Sequence, residues 1–341
     1  MPRDPVEAGA TDDTDLYDIS TWETRTRLDR VAVRIHRGLL TITRGLIVGF
    51  AVLIIVGQFL LGGMGVLYSN RPAAAVLVVL SVLPALALFG YVYRADVTTA
   101  EPLVLIVGTF GLGVLFAGFA ALVNSALRPL LAVPLVGGVL FFYLVVGPVE
   151  EAVKLLAVRL LPYRSVSFNA VVDGAVYGAA AGLGFATIEN ALYIAQGLTM
   201  GGAAPTETGV AALLGSGGGI AALRAFAGPG HVIYSAFAGY YLGLAKFNPS
   251  NAGPIVVKGL TIAALIHATY NTLVGPLAVL VQSLLGLSTL VSFFAVVILY
   301  DLAVGLVLYR KLRRYASAYW ATRPPGPDRD GPPPELIEFD S

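Results

Sequence analysis

Long apolar runs alternate with short polar stretches along most of the chain between residues 45 and 309. Because about 20 residues of α-helix cross a hydrocarbon core of about 30 Å, the pattern predicts an all-α, polytopic membrane helix bundle with about eight transmembrane helices. The predicted helices cover residues 45–68, 73–93, 102–123, 130–161, 166–197, 219–246, 254–275 and 287–309. The stretch Pro276–Gly286 is predicted to be a half-span, a re-entrant turn or the start of the last helix.

The composition supports this class. Of the 341 residues, 57% are hydrophobic and 13% are charged, against roughly 25% charged residues in soluble domains. The net charge is +1, so charge gives no reason to expect a nucleic-acid partner. The chain contains no cysteine, which excludes disulfides, a thiolate nucleophile and Cys-ligated zinc. A soluble enzyme, a disordered protein and a disulfide-stabilised scaffold are therefore all excluded.

Basic residues are distributed unevenly between the two ends of the predicted helices. If the N-terminus is cytoplasmic, the outer side carries Arg71, Arg128 and Arg224. The inner side then carries the Arg25–Arg44 cluster, Arg94, Arg159, Arg164, Lys246, Lys258 and the Arg310–Arg314 cluster. Because Lys and Arg accumulate in cytoplasmic loops, we expect a multi-pass protein of the cell membrane with both termini in the cytoplasm.

The N-terminal region divides into two segments. Residues 1–19 are acidic and small, and we expect them to form a disordered tail. Residues 20–44 are predicted to form an amphipathic helix on the inner leaflet, with Ser20 and Glu23 at the spacing of a capping box. A helix packed on the bundle and facing water is the alternative. The apolar face of the helix predicted at 20–44 consists of Leu28, Val31, Ile35 and Leu39. Its basic face consists of Arg27, Arg30, Arg34 and Arg37.

The rest of the chain is divided by its apolar runs and its buried charges. We expect helices one to three in residues 45–123, a catalytic core of helices four to seven in 124–275, the last helix with its basic end in 276–314, and a Pro/Asp-rich cytoplasmic tail in 315–341.

A charge at the middle of a span costs at least about 2.5–3.5 kcal/mol. Such residues concentrate in the core and in the last helix: Glu150, Glu151, Lys154, Asp173, Glu189, Arg224, His231, His267 and Asp301. They indicate a substrate path, a proton relay or a catalytic site.

The fourth predicted helix carries Glu150, Glu151 and Lys154 just after Pro148. Pro148 can kink the helix because it has no backbone N–H group. Glu150 and Lys154 are four residues apart and can pair on one face, whereas Glu151 points about 100° away. One carboxylate can thus be neutralised while the other serves as a base or a ligand. A plain structural Glu–Lys pair is the alternative, and the pattern does not say which glutamate is the base.

The fifth helix combines a packing surface with polar side chains. Gly174, Gly178 and Gly182 recur every four residues, which predicts a flat strip for close helix contact. Phe185, Glu189, Asn190 and Tyr193 follow toward the end of the helix.

The sixth and seventh helices each carry a histidine. His231 follows Gly228-Pro229-Gly230, which can open the helix at that depth, and His267 precedes Asn271 by one turn. With the carboxylates, the two imidazoles could hold Zn²⁺ through Glu189, His231 and His267. Alternatively, a glutamate could activate water while histidine stabilises the oxyanion.

Four motifs in order resemble the PrsW family of intramembrane proteases, which is related to the CAAX prenyl endopeptidases and the bacteriocin-processing membrane proteases. They are Glu150-Glu151-x-x-Lys154, "DGAVYGAAAGLGFATIENALYIA" from Asp173, "RAFAGPGHVIYSAFAGYYLGLA" from Arg224, and His267-x-x-x-Asn271. The resemblance covers about residues 100–275. It implies a metallo- or glutamic-type peptidase that cleaves a membrane-protein substrate in the bilayer; in bacterial members that substrate is a membrane-spanning anti-sigma factor.

The resemblance also implies the site residues. Glu150 and Glu151 would supply the acid/base with Lys154 as partner, and Glu189 stands where the CAAX relatives usually have His. The implied catalytic set is Glu150, Glu151, Glu189, His231, His267 and Asn271, with Lys154, Phe185, Asn190, Tyr193 and Arg224 in support.

Two other functions are compatible with the same residues. One is a non-catalytic membrane scaffold or regulator with the same fold. The other is a proton-coupled secondary transporter that uses Glu150, Glu189 and the histidine pair as a relay. Transporters usually show repeated halves with broken helices at matching positions, and no convincing internal repeat is present. We therefore favour the peptidase.

Overall fold

The computed structural model describes residues 4–11, 13–38, 72–200 and 216–322. Within these ranges the regular structure is helical, apart from an isolated bridge between Tyr17 and Thr21. The α-helices are α1 (Pro5–Gly9), α2 (27–38), α3 (Pro72–Arg94), α4 (Leu103–Leu127), α5 (Gly137–Phe141), α6 (Gly147–Leu160), α7 (Val171–Met200), α8 (Ser216–Phe247), α9 (Ala252–Leu285) and α10 (Thr289–Ala321). A π-helix at Phe142–Val146 joins α5 to α6. Short 3₁₀ turns lie at Arg128–Leu131, Pro162–Arg164 and Pro249–Asn251.

Five described helices are long and apolar enough to cross a membrane. The spans are Val76–Arg94, Leu103–Leu131, Val171–Ile194, Pro249–Leu285 and Thr289–Ala321. These findings confirm an all-helical, multi-pass protein within the part of the chain that is described. The predicted first helix at 45–68 lies outside the described residues.

Two helix predictions need correction. The predicted helix at 130–161 is interrupted, because a loop and a π-helical turn precede Gly147. The stretch Pro276–Gly286 is neither a half-span, a re-entrant turn nor the start of the last helix: α9 continues through Pro276 to Leu285. Gly286 ends it in the left-handed conformation, with φ 64°, a common helix stop.

The N-terminal segment packs on the bundle, so the prediction of a disordered tail for residues 1–19 is wrong for the described residues 4–11 and 13–19. Asp4 is fully buried and accepts hydrogen bonds from the backbone N–H of Val171 and the hydroxyl of Tyr315, both at 3.0 Å. Asp18 pairs with Lys258 at 3.0 Å and with Lys311 at 2.8 Å. Asp4 and Asp18 therefore bond fixed donors of the bundle instead of water.

Helix α2 begins at residue 27, later than the predicted start at residue 20. Asp29 accepts from the backbone N–H of Thr26 at 2.6 Å, and Thr26 Oγ1 accepts from the N–H of Asp29 at 3.1 Å. This reciprocal cap starts α2, so the predicted Ser20–Glu23 cap is wrong. Val31 and Ile35 on the predicted apolar face are 42% and 41% exposed, whereas Asp29 and Ala32 of the same helix are buried; these exposures fit both the interfacial helix and the bundle-packed alternative.

The glycine strip of α7 is confirmed as a close packing surface. A Cβ added to Gly174 would lie 2.1 Å from the carbonyl oxygen of Gly239, and one on Gly178 would lie 2.2 Å from that of Ser235. At Gly182 the corresponding atom is the carbonyl oxygen of His231, at 2.3 Å. The close contact between α7 and α8 therefore fixes the position of His231 relative to α7.

Candidate active site

The acidic motif is presented by a distorted helix entry. Pro148 cannot donate a backbone hydrogen bond, and the N–H of Gly147 bonds the carbonyl of Phe142, five residues earlier. Gly147 also lies against α9, where a Cβ would be 2.6 Å from the carbonyl oxygen of Ala264. The break expected at Pro148 is therefore a π-helical turn, a feature frequent at functional sites.

Glu151 is the structural member of the glutamate pair. Its Oε1 lies 2.7 Å from Nζ of Lys154 and 2.9 Å from Nδ1 of His267. Its Oε2 accepts a hydrogen bond from the hydroxyl of Ser235 at 3.2 Å. Glu151 is fully buried, so these three donors replace its hydration.

Glu150 faces the cavity. Its Oε1 accepts a hydrogen bond from the side-chain amide of Asn124 at 3.0 Å. Its Oε2 is buried and has no hydrogen-bond partner among the described residues, and it lies 3.8 Å from Nε2 of His267. Lys154 is 3.9 Å from this carboxylate and belongs primarily to Glu151. The expected Glu150–Lys154 pair is therefore present as a long contact, and the Glu151–Lys154 pair is the shorter one, at 2.7 Å.

His231 is held from both sides. Its Nδ1 lies 2.8 Å from Nζ of Lys154, and its Nε2 lies 2.8 Å from Oε2 of Glu189. An ammonium group donates and cannot accept, so we assign Nδ1 as the acceptor and Nε2–H as the donor to Glu189. Nη2 of Arg224 forms an ion pair with Oε2 of Glu189 at 2.5 Å, so the charge of Glu189 is neutralised.

Aromatic and amide groups complete the surroundings of these charges. Phe185 stacks on His231 with ring centroids 5.5 Å apart, and Nζ of Lys154 lies 4.2 Å from the Phe185 ring centre. Asn190 accepts from Nε of Arg224 at 2.8 Å, and Tyr193 lies under the same guanidinium at 4.4 Å. The supporting residues predicted on α7 therefore gather around Lys154, His231 and Arg224.

A cavity of about 790 Å³ opens beside these groups. Its lining includes Asn124, Glu150, Glu189, His231, His267 and Asn271. Asn271 contributes to the wall, whereas Glu151 holds Nδ1 of His267. The imidazole of His267 is therefore oriented by Glu151.

Glu150, His231 and His267 form a group with metal-ligand chemistry. One ligand-type atom from each lies within 4.8 Å of the others. Glu151 bonds Nδ1 of His267, so Nε2 is left to face the group, as in carboxylate–histidine–metal arrangements. The unpartnered Oε2 of Glu150 supplies an anionic donor. Among the described residues the carboxylate grouped with the two histidines is thus that of Glu150, while Glu189, predicted from sequence as the ligand, contacts Nε2 of His231 at 2.8 Å.

Two predicted acidic residues lie outside the Glu/His group, and two residues that were not predicted contact the glutamates. Asp173 lies at the start of α7, and Asp301 lies on α10; neither belongs to the described Glu/His group. Asn124 and Ser235 contact the two glutamates but were not predicted as site residues, because uncharged side chains cost little inside apolar helices and so do not stand out in the sequence. The four-residue spacing of Ser235 from His231 was the one available hint.

The geometry defines a class of protein: a bundle of membrane-length apolar helices in which buried glutamates and histidines border a cavity. A family model described as "PrsW family intramembrane metalloprotease" matches residues 101–300. The chain belongs to this family of intramembrane metalloproteases and is a peptidase.

Curated relatives support the assignment. Protease PrsW of Bacillus subtilis (strain 168) is 31% identical over 195 residues, 55% of this chain and 78% of the relative. Protease PrsW of Shouchella clausii (strain KSM-K16) is 29% identical over 196 residues, 57% of this chain and 81% of the relative. Protease PrsW of Clostridioides difficile (strain 630) is 24% identical over 198 residues, 57% and 77% respectively. No solved structure matches the chain.

Proposed function

We propose that this protease hydrolyses a peptide bond of a membrane-protein substrate in the cavity beside Glu150, with Glu150 as the group that handles the water proton. The observation that carries this proposal is that Glu150 lines the cavity and that its buried Oε2 has no hydrogen-bond partner among the described residues. The cavity volume of about 790 Å³ falls within the range of ligand-binding sites.

The reaction proceeds by addition of water to the scissile carbonyl. Asn124 holds Oε1 of Glu150, and Oε2 accepts a proton as the water oxygen bonds to the carbonyl carbon. The same proton passes to the leaving nitrogen when the C–N bond breaks. Asn271, on the cavity wall, is placed to donate a hydrogen bond to the oxyanion.

The metal-dependent form of this mechanism would use Zn²⁺, since two imidazoles and a carboxylate are a common catalytic zinc set. Glu150, His231 and His267 would hold the ion, and it would polarise the carbonyl and acidify the water. For Nε2 of His231 to bind it, the Nε2 hydrogen would leave to solvent and Nδ1 would take a proton from Lys154, so that the imidazole stays neutral. In this form Glu150 would be a ligand instead of the proton acceptor, and Glu189 would be the remaining cavity carboxylate for the proton.

Glu151 and Lys154 act as positioning residues in this scheme. Glu151 fixes the tautomer of His267 by accepting from its Nδ1–H, and Lys154 orients His231 through Nδ1. Both side chains are almost completely buried, so neither is accessible to a substrate peptide.

The central test is cleavage of a reporter membrane protein, combined with comparative membrane proteomics of cells that express wild type or Glu150→Gln. We expect the variant to lose cleavage and its substrates to accumulate uncut. Cleavage that persists in Glu150→Gln would contradict the assigned role. Unchanged proteomes together with intact folding would favour the scaffold function instead.

Metal dependence needs its own measurement. We expect the purified wild-type protein to contain about one zinc per chain and His231→Ala to contain much less. Equal zinc content in the two proteins would remove His231 from the ligand set, and zinc-free protein with full activity would favour the glutamate-only mechanism.

We also propose that both termini lie in the cytoplasm, with the cell membrane as the location. Two contacts between the N-terminal segment and the end of α10 support a common side: Asp4 with Tyr315 and Asp18 with Lys311. Because the chain has no cysteine, single-cysteine labelling can test this directly. In intact cells, Leu135→Cys should react with an impermeant thiol reagent and Glu23→Cys should not; the reverse pattern would invert the orientation.

A further inference from the structure

A second group of acidic side chains lies at the start of α7, apart from the catalytic cavity. Asp96 and Glu101 belong to the loop between α3 and α4, and Asp173 lies in the first turn of α7. One carboxylate oxygen from each lies within 4.8 Å of the other two. Asp173 precedes Glu189 by 16 residues, about 24 Å along a helix axis.

The two loop carboxylates each present an oxygen without a partner. Glu101 is 4% exposed; its Oε2 accepts from the hydroxyl of Tyr177, and its Oε1 has no hydrogen-bond partner among the described residues. Asp96 Oδ1 accepts from the backbone N–H and the hydroxyl of Thr98 at 2.8 and 2.6 Å. Its buried Oδ2 is likewise unpartnered within the described ranges.

The third carboxylate is fixed by the start of its own helix. Asp173 Oδ2 accepts from the N–H groups of Asn169 and Ala170 at 2.6 and 2.8 Å. Its Oδ1 lies 3.4 Å from the hydroxyl of Thr98. The three acids are thus held by local donors in a set arrangement.

No ion pair between described residues involves these three carboxylates. Lys246, whose charge interacts with Asp173 and Glu101, donates to the backbone carbonyls of Ser165 and Phe168 at 3.3 and 2.6 Å. Burial raises the pKa of Glu101 to about 7, with the charge of Asp96 adding to the effect. Burial also raises the pKa of Asp96. Clustered carboxylates of this kind require either bound protons or a bound cation.

We propose that Asp96, Glu101 and Asp173 bind a hard divalent cation, Ca²⁺ or Mg²⁺, through the unpartnered oxygens Oδ2 of Asp96 and Oε1 of Glu101. Hard cations are bound by carboxylate oxygens, and an all-oxygen set disfavours zinc. The ion ties the α3–α4 loop to the start of α7, the helix that carries Phe185 and Glu189. The site therefore stabilises the helix pairing that places the catalytic residues.

Cation-dependent thermal unfolding of the full-length, chelator-treated protein in detergent tests this site. CaCl₂ or MgCl₂ should raise the melting temperature of wild type in a saturable manner. Glu101→Gln should need at least a tenfold higher cation concentration for the same shift, and Asp96→Asn should behave similarly. The control Glu23→Gln alters an exposed carboxylate and should respond like wild type.

A second comparison separates this site from the catalytic group. His267→Ala should keep the Ca²⁺- or Mg²⁺-dependent shift, because His267 is absent from the acidic cluster. Terbium luminescence provides a readout that does not depend on stability: Tb³⁺ should bind wild type, be displaced by Ca²⁺, and bind at least tenfold more weakly to Asp96→Asn. No cation response in wild type, or an equal response in Glu101→Gln, would overturn the proposal and leave shared protons as the explanation.

Discussion

Nζ of Lys154 lies 2.8 Å from Nδ1 of His231, and the same ammonium lies 2.7 Å from Oε1 of Glu151. One buried cation therefore joins the acidic motif of α6 to the histidine of α8. Since the ammonium can only donate, the contact determines which nitrogen of His231 carries hydrogen. Lys154 thereby controls both the charge balance of Glu151 and the tautomer of His231.

Replacing Lys154 by Met should damage stability and activity together. Removing one partner of a buried ion pair costs about 3–5 kcal/mol, because Glu151 would remain buried with its cation gone. We expect a clearly lower melting temperature in detergent and loss of reporter cleavage. Arg313→Met changes a cation at the exposed end of α10 and should leave both measurements near wild type. A Lys154→Met protein of normal stability would contradict the pairing.

The two adjacent glutamates should respond differently to the same substitution. Glu150→Gln keeps a hydrogen-bond acceptor for Asn124 and should lower cleavage by about 10²–10⁴-fold, the usual range for a lost acid/base group, with little change in melting temperature. Glu151→Gln removes the charge that faces Lys154 and His267, so it should destabilise the protein as well. Measuring cleavage and melting for both variants separates the two roles, and identical profiles would argue against them.

Asn124 offers a test of how Glu150 is oriented. Asn124→Ala removes the 3.0 Å hydrogen bond to Oε1 and should reduce cleavage by about 10- to 150-fold, since one hydrogen bond to a charged group contributes about 1.5–3 kcal/mol. Ser283→Ala is the matched control, because that exposed hydroxyl donates to the carbonyl of Val279 on α9 and lies outside the cavity lining. The assay should include the pH profile, which a positioning residue shifts and a purely structural one does not.

The docking of the N-terminal segment should depend on pH through Asp18. Burial raises the pKa of Asp18, but Lys311 and Lys258 outweigh that effect and hold it below the ordinary value of 3.8. A lowered folded-state pKa means that the stabilisation is present above about pH 4 and is lost as pH falls below it. Its backbone has φ 60°, which Asn also tolerates, so Asp18→Asn changes mainly the charge.

Limited proteolysis can measure that docking. At pH 7, Asp18→Asn should be cut faster than wild type within residues 4–22, and the difference should shrink as pH approaches 3. Asp15→Asn is the control, because its partner Arg25 and Asp15 itself are both largely exposed. Equal cutting of Asp18→Asn and wild type at pH 7 would show that these ion pairs do not hold the segment.

The sequence predicted which helices carry the chemistry, because charges inside apolar runs and glycines at regular spacing are local signals. It could not decide between Glu150 and Glu151, since helical phase gives the angle between two side chains but not which one faces the cavity. The packing of α6 against α8 and α9 determines which glutamate lines the cavity: Glu151 contacts Lys154, Ser235 and His267, and Glu150 lines the cavity. The packing of the N-terminal segment could not be predicted either, because an acidic composition indicates a solvent-exposed tail. Only the fold shows that Lys258 and Lys311 lie next to Asp18.

The glycine strip should be sensitive to a single methyl group. A Cβ on Gly178 would lie 2.2 Å from the carbonyl oxygen of Ser235, and backbone cannot move aside as a flexible side chain can. Overpacking of this kind costs about 1–3 kcal/mol, and the shift would displace the hydroxyl of Ser235 from Glu151. Gly178→Ala should therefore lower both the melting temperature and cleavage. Gly111→Ala, at a helical position with nothing within 4 Å, should be neutral or slightly stabilising; equal effects of the two variants would exclude close α7–α8 packing as the cause.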